Sequence, residues 1–378
     1  MRVGLVIYGE IETLTGGYLY DSFLASQLRK RGHDVEVLSL GLKSYPGRLL
    51  DNVSRSALRA LTSPGWDLLL QDELCHPSLW GLNRRCRRQN AAPVVSVVHH
   101  LFSAERRHPI LNRLLAGIEK RYLDTVDGFV FNSRATRDAV QVLSPGSRSS
   151  VIAPPGGDRF RCRISLSRIR QRVFSPGPLR LLFLGQVVPR KGLLELIQGL
   201  AGVPPELWQL DVLGSLDADA GHVRKVRQRT ADLGLEARVR LCGEGSDEEL
   251  VEALTASHLL CMPFAWEGFG IVTLEAMGFA MPVIGSTRGA TPELIRHGVN
   301  GLLVEPGDWP GLQTALISLA DDRERLFQLS EAALESWKEH PSWSESMDRA
   351  VMFLESMAGP GRASSPQHGM TVCTRCPS

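Results

Sequence analysis

Two acids, Glu267 and Glu275, flank the run Gly268-Phe269-Gly270-Ile271, and no other pair in the chain is so well set for chemistry. An apolar run from Leu259 breaks at Pro263 and crosses a loop holding Trp266 and Glu267. It resumes with helical character and stops at Met281-Pro282, before the apolar segment Pro282-Val283-Ile284-Gly285. The pattern is strand, glycine loop, helix and strand, one βαβ unit. Glu267 falls in the loop and Glu275 one to two turns into the helix. A carboxylate in such a loop accepts paired hydroxyls. The glycines let backbone approach a ligand, and the helix N-terminus favours an anion. An acid in that position also serves simply to cap a surface helix.

Other chemistry-bearing residues stand at strand ends. Arg2 to Tyr8 is a short apolar run suited to a buried parallel strand, and Gly16-Gly17 follows it before a helix expected over about Tyr18 to Arg31. A glycine pair at that point suits an open α/β sheet that binds ligand beyond its strand ends, or simply a tight turn. Pro93 to Val98 ends at His99-His100, which the same logic turns toward the crevice. His100 is the favoured residue of the two, with His99 beside it. Leu179 to Gly185 runs into Gln186, Arg190, Lys191 and Gly192, where an ammonium can meet a diphosphate as a point charge. The spacing is not that of a Walker loop.

The elements that position these residues alternate between strand and helix in both halves. Further strands are expected at Val35 to Leu38, Asp67 to Leu70, Phe129 to Phe131, Leu210 to Gly214 and Val239 to Gly243, and Val151 to Asp158 closes the first half. The 378 residues suffice for two domains, and a net charge of +2 marks no nucleic-acid-binding class. Seven scattered cysteines fit reduced thiols better than a disulfide framework. No run reaches the length of a spanning helix, and the N-terminus has no long apolar leader, so a cytoplasmic protein is expected. Arg106 to Leu123 is basic and amphipathic. Such a helix can lie on an anionic membrane, but more commonly its apolar side faces the core. Arg159 to Arg172 reads as a solvated interdomain crossing, and Gly359 to Ser378 as a disordered tail with a lone Cys373-Thr374-Arg375-Cys376. Asp217-Ala218-Asp219 is expected to be an ordinary loop, and no metal site is assigned.

With EGFG at Glu267 and EAM at Glu275, the chain resembles the retaining glycosyltransferases of family four over roughly residues 1 to 355. Pro154 to Asp158 similarly resembles the family's exit into its linker. The resemblance implies a GT-B fold, two Rossmann-like α/β domains facing an interdomain cleft. An acceptor-side domain would span 1–158, a linker 159–178 and a nucleotide-sugar domain 179–339, with a last helix at about 340–357 crossing back. It implies a donor site of Gly16, Gly17, Gln186, Arg190, Lys191, Glu267, Gly268, Phe269, Gly270, Ile271 and Glu275, with His100, Lys191 and Glu267 closest to the chemistry. Glu275 would hold ribose hydroxyls and Glu267 sugar hydroxyls.

The expected reaction moves a hexosyl unit from a nucleoside diphosphate sugar to a hydroxyl acceptor with retained configuration, without metal or other cofactor. The family's arginine is replaced here by Gln186, which brings no charge. That departure keeps a non-catalytic nucleotide-sugar-binding protein open, beside an epimerase or hydrolase of the same architecture. The nucleobase, the sugar and the acceptor are not legible, and a peripheral membrane contact is left open.

Overall fold

The structure, a computed structural model, describes residues 1–13, 15–63, 65–89, 92–105, 108–160, 164–263 and 267–359. Trp266, Arg106, Arg107, Cys162 and the tail with its Cys373–Cys376 pair lie outside the described residues.

Among the described residues, twelve strands form two parallel sheets of six. The first is built from β1 (Arg2–Tyr8), β2 (Asp34–Leu40), β3 (Leu68–Asp72), β4 (Val94–Val98), β5 (Gly128–Phe131) and β6 (Ser149–Ile152), in the order β2-β1-β3-β4-β5-β6. The second holds β7 (Leu179–Leu184), β8 (Trp208–Leu213), β9 (Val239–Gly243), β10 (Leu259–Met262), β11 (Val283–Ser286) and β12 (Gly301–Val304), in the order β12-β11-β10-β7-β8-β9. Both are doubly wound, so both put their ligand-binding crevice at the carboxyl ends of the strands.

Continuous apolar strands are what a sheet covered on both faces requires. On β1, Val3, Leu5 and Ile7 join the core beneath the helix Gly16–Lys30, while Val6 and Tyr8 join the core on the opposite face. That helix begins at the glycine pair itself rather than at Tyr18, with Thr15 accepting from the Tyr18 amide at 3.3 Å. The glycines are therefore its first turn.

Two other segments differ from expectation. Within the supposed solvated crossing, Leu166–Val173 is a helix whose Ile169 and Val173 are wholly buried in the second core. Its Arg172 is 5% exposed and donates to the carbonyls of Phe279, at 2.9 Å, and Ala280. Those carbonyls follow the C-terminus of the helix Ile271–Gly278, where unpaired acceptors collect and a cation is favoured. Burial lowers the Arg172 guanidinium to about 10, still charged at neutral pH. The basic helix spans Pro109–Leu123 and is only partly seated. Leu115, Tyr122 and Leu123 are buried, but Ile110, Leu111 and Leu114 are 68%, 46% and 63% exposed. The last helix, expected at about 340–357, spans Trp343–Ala358 and is set off from the helix Arg323–Glu339 by a break around Pro341.

The helix Trp343–Ala358 packs on Gly16–Lys30, so the chain's last described element completes the core of the first sheet. It gets there through a tight crossing. Trp343 N donates to Asp158 Oδ1 at 2.8 Å, and His340 Nε2 lies 2.9 Å from Pro155 O. A Cβ on Gly156 would collide with the backbone of Ser342 and Trp343. Gly156→Ala should therefore cost about 1–3 kcal/mol by overpacking. Denaturant unfolding of the variant measures it, and an unchanged midpoint would mean that the crossing yields freely.

Candidate functional site

The loops at the carboxyl ends of the two sheets meet at Gly268. A Cβ there would overlap the carbonyl oxygen of His99 and come within 3.0 Å of the His100 Cβ. Only glycine permits this approach. Ser133 Oγ donates to Gly268 O at 2.7 Å, and the same oxygen accepts from the Thr136 amide at 3.0 Å. Ser133 thus caps the helix Arg134–Leu143, as its position in the sequence suggests, and ties the second domain's loop to the first. A second tie was not legible. Both carboxylate oxygens of Glu293 accept amides of that helix, Arg134 N at 3.1 Å and Ala135 N at 2.8 Å. Glu293 lies in the first turn of the helix Thr291–Leu294, but the amides its carboxylate takes belong to a helix of the other domain.

Gly270 opens the helix Ile271–Gly278 with φ +92°, a left-handed conformation that favours glycine, and no side chain caps that helix. A helix start of this kind, with no side-chain cap among the described residues, is suited to an anion. Gly192, with φ +72°, opens the helix Leu193–Leu200 in the same way. Between the two stand Lys191 and Glu267, whose Nζ and Oε1 are 3.3 Å apart. Their side chains are 13% and 16% exposed. Burial by itself would raise the Glu267 carboxyl. Lys191 and Arg190 hold it below its ordinary range, with His100 adding to their effect. Arg190 is exposed but close enough for its charge to act on Glu267. Gln186 is half-buried in the same turn, after Gly185, where an added Cβ would lie 3.5 Å from Lys191 Cε.

Glu275 has a different environment. It is 2% exposed, its Oε1 has no hydrogen-bond partner among the described residues, and Arg159 Nη1 is 3.7 Å away. Burial raises its carboxyl to about 7, against the pull of Arg159 and with help from Asp247. Arg159, which also pairs with Asp247, has a place at the site that the sequence reading did not give it. The same holds for Gly289 and Ala290. The Ala290 amide donates to Glu267 O at 2.9 Å, and a Cβ on Gly289 would strike the Glu267 backbone.

From the first domain, a Cβ on Gly16 would lie 3.6 Å from Ile271 Cδ1, and one on Gly17 would lie 3.1 Å from His99 Cδ2. The glycine turn therefore faces the start of the Ile271–Gly278 helix. Phe269 is buried, its ring 5.9 Å from that of His340. The adjacent histidines separate clearly. The His99 ring turns inward, its Nε2 3.1 Å from Asp21 Oδ1. Burial would lower its pKa, but Asp21 raises it to about 9. His100, with a side chain 22% exposed, lies 3.1 Å from Glu105 and beside the Glu267 loop. All the expected residues thus gather about one seam, with Glu275 set behind the others. Asp219 caps the helix Ala220–Asp232 through the His222 amide at 2.8 Å, an ordinary structural use.

Comparison with known proteins bears on the family and the fold. The family model described as Glycosyl transferases group 1 matches residues 167–336, and that described as Glycosyltransferase Family 4 matches residues 23–158. The chain is 25% identical to the D-inositol 3-phosphate glycosyltransferase of Corynebacterium glutamicum (strain R), over 66% of this chain and 62% of that protein. For the Corynebacterium efficiens counterpart, the match covers 54% of that protein. Both shares are under two thirds of the relative's length. The chain is 23% identical to the N-acetyl-alpha-D-glucosaminyl L-malate synthase of Bacillus anthracis, over 89% of this chain and 92% of that protein. Among solved structures, sucrose-phosphate synthase from Thermosynechococcus elongatus aligns with a TM-score of 0.76 at 19% identity, covering 94% of this chain and 98% of that one. The Anabaena protein HepE in complex with UDP-glucose aligns with a TM-score of 0.75 at 20% identity, covering 94% and 100%. The fold is that of the GT-B glycosyltransferases.

Proposed function

We propose a specific reaction for this chain, which belongs to the glycosyltransferases of family four: transfer of a hexosyl unit from a nucleoside diphosphate sugar to a hydroxyl acceptor, with retention of configuration. The observation that carries this reading is the pairing of an unpartnered, buried Glu275 oxygen with a cationic, helix-capped pocket at Lys191. A ribose diol supplies the hydrogen bonds that Glu275 lacks. A departing diphosphate supplies the negative charge that Lys191, Arg190 and the amides near Ile271 would stabilise. The donor is thus of the class carried by the Anabaena complex.

In this reading Glu267, kept ionised by Lys191, receives hydroxyls of the donor sugar, and His100 faces the reacting end. Gly16 and Gly17 give backbone access to the phosphates. Neither acid is placed as a nucleophile, since Glu267 is paired and Glu275 lies behind the loop. Front-face attack, with the leaving phosphate accepting the acceptor's proton, is the mechanism that needs none. The charge on the diphosphate is met by side chains and amides, so no metal is assigned to the transfer. Arg190, whose charge reaches Glu267, stands in for the cation missing at Gln186, which disfavours the non-catalytic alternative.

The enzyme is further proposed to be cytoplasmic and to rest on an anionic membrane. No described helix is long and apolar enough to cross one. The apolar residues Ile110, Leu111 and Leu114 stand exposed beside Arg113. Arg84 and Arg121 lie over the same Trp80 ring, at 5.6 and 5.7 Å, which joins the basic surfaces of two helices.

Three measurements test these readings. Glu275→Gln should weaken nucleoside diphosphate binding about 10- to 100-fold, the worth of a hydrogen bond to a charged group. Because Glu275 titrates near 7 and hydroxyls seek the carboxylate, wild-type affinity should rise from pH 6 to pH 8. The variant should show no such rise, and a calorimetric titration reads both; equal affinities would remove Glu275 from the ribose. Lys191→Ala should lower kcat about 100- to 1000-fold, with the product anomer, read by NMR, matching the donor's in the wild type. Near-normal turnover or an inverted product would refute the corresponding step. Finally, vesicles containing phosphatidylglycerol should carry the protein upward in a flotation gradient, whereas neutral vesicles or an Ile110→Ser/Leu114→Ser variant should leave it at the bottom.

A further inference from the structure

A second group of chemistry-bearing side chains is enclosed in the first domain, at the carboxyl ends of β3 and β4 and against the helix Gly16–Lys30. Asp21 is fully buried, Asp72 is 1% exposed and His99 is 8% exposed. One ligand atom from each lies within 4.8 Å of the other two. His99 Nε2 and Asp21 Oδ1 are 3.1 Å apart, and the Leu74 amide donates to Asp72 Oδ1 at 3.0 Å. The remaining oxygen of each aspartate, Asp21 Oδ2 and Asp72 Oδ2, is buried with no partner among the described residues. Two enclosed carboxylates share a single imidazole, and an unpaired buried carboxylate is costly.

We propose that Asp21, Asp72 and His99 bind a divalent transition-metal cation of the zinc or manganese class. At bond lengths of about 2.1 Å, neighbouring ligand atoms of such an ion lie roughly 3.0–3.4 Å apart. The His99–Asp21 spacing already falls in that range, and a ligand atom of Asp72 lies within 4.8 Å of both. One imidazole nitrogen with carboxylate oxygens suits a borderline ion better than calcium or magnesium, which favour all-oxygen shells. The two unpartnered oxygens gain a counter-charge. The ring is held for the purpose, edge-on to Tyr20 at 5.3 Å and against Gly17.

The neighbouring set of Glu73, His76 and Glu119 is less suited. Glu119 is already committed to the amide of Phe102, at 2.6 Å, and to Ser103, at 3.3 Å from its amide. The proposed ion lies in the first domain, whereas Lys191 and Glu267 belong to the second, so its role is structural. It joins the glycine turn, through Asp21 and the ring beside Gly17, to the end of β3. In the ion-free chain a proton on this cluster takes the place of the cation, so the two compete.

The test uses the full chain carrying Cys373→Ser and Cys376→Ser, which removes the tail thiols as rival zinc ligands. After chelator treatment and dialysis, Zn²⁺ and Mn²⁺ are titrated by equilibrium dialysis alongside thermal melts. One ion per chain should bind and raise Tm. Asp72→Asn and Asp21→Asn should each weaken binding by about 100-fold or more, beyond the effect of losing an outer partner. If Asp72→Asn does not fold, Asp21→Asn and His99→Gln make the comparison. No ion bound by the parent, or equal binding in the folded variants, would overturn the proposal and leave a proton as the counter-charge. Neither readout depends on sugar transfer, so a wrong reading of the reaction would not disturb this result.

Discussion

The structure turns on one steric allowance, the missing side chain at Gly268. Because nothing projects there, the loop after β10 can lie against the carbonyl of His99, and Ser133 can reach the Gly268 oxygen. The Ser133–Gly268 contact is a polar one, and it aligns the two domains at this point. Interfaces of this character permit relative motion while setting its end point. Glu293 reinforces that end point from the other side of the seam, because its carboxylate meets helix amides only when the two domains are close.

Electrostatics then divides the labour between two chemically identical acids. Glu267 is largely enclosed yet stays ionised because Lys191 and Arg190 face it. Glu275, deeper, with Arg159 more distant and Asp247 acting against it, holds its proton up to about 7. A carboxyl that is permanently charged and one that titrates near neutrality make different partners for a polyhydroxyl ligand. The first offers a fixed acceptor, while the second becomes a full acceptor once its proton has left. The difference arises from neighbours some 75 to 115 residues away in the chain.

Much of this was legible before the structure. Apolar runs gave the strands, since a buried parallel sheet tolerates little else, and glycines at strand ends marked the turns where backbone must come close. What stayed hidden depends on long-range pairing. Arg172 looks like one more solvated arginine until its carbonyl partners after Gly278 are known. Asn132 holds the His99 carbonyl and Asp21 takes its ring, which is why the inner histidine is lost to the core and His100 is left at the seam. Nothing local to the His99-His100 dipeptide could decide that. The exposed half of the Pro109–Leu123 helix shows the complementary failure, because helical spacing reports a face and not what covers it.

The placement of the helix Trp343–Ala358 bears on how the chain is made. Its Trp343, Met347, Val351 and Leu354 fill the same core as Val3, Leu5 and Ile7 of the first strand. On a ribosome the first six strands emerge long before that helix does, and the second domain is synthesised in between. The earliest domain must therefore wait with an apolar strip uncovered, a state that invites aggregation or a chaperone. Of these two domains, the one made earlier is thus finished later, and its folding is tied to the completion of its neighbour.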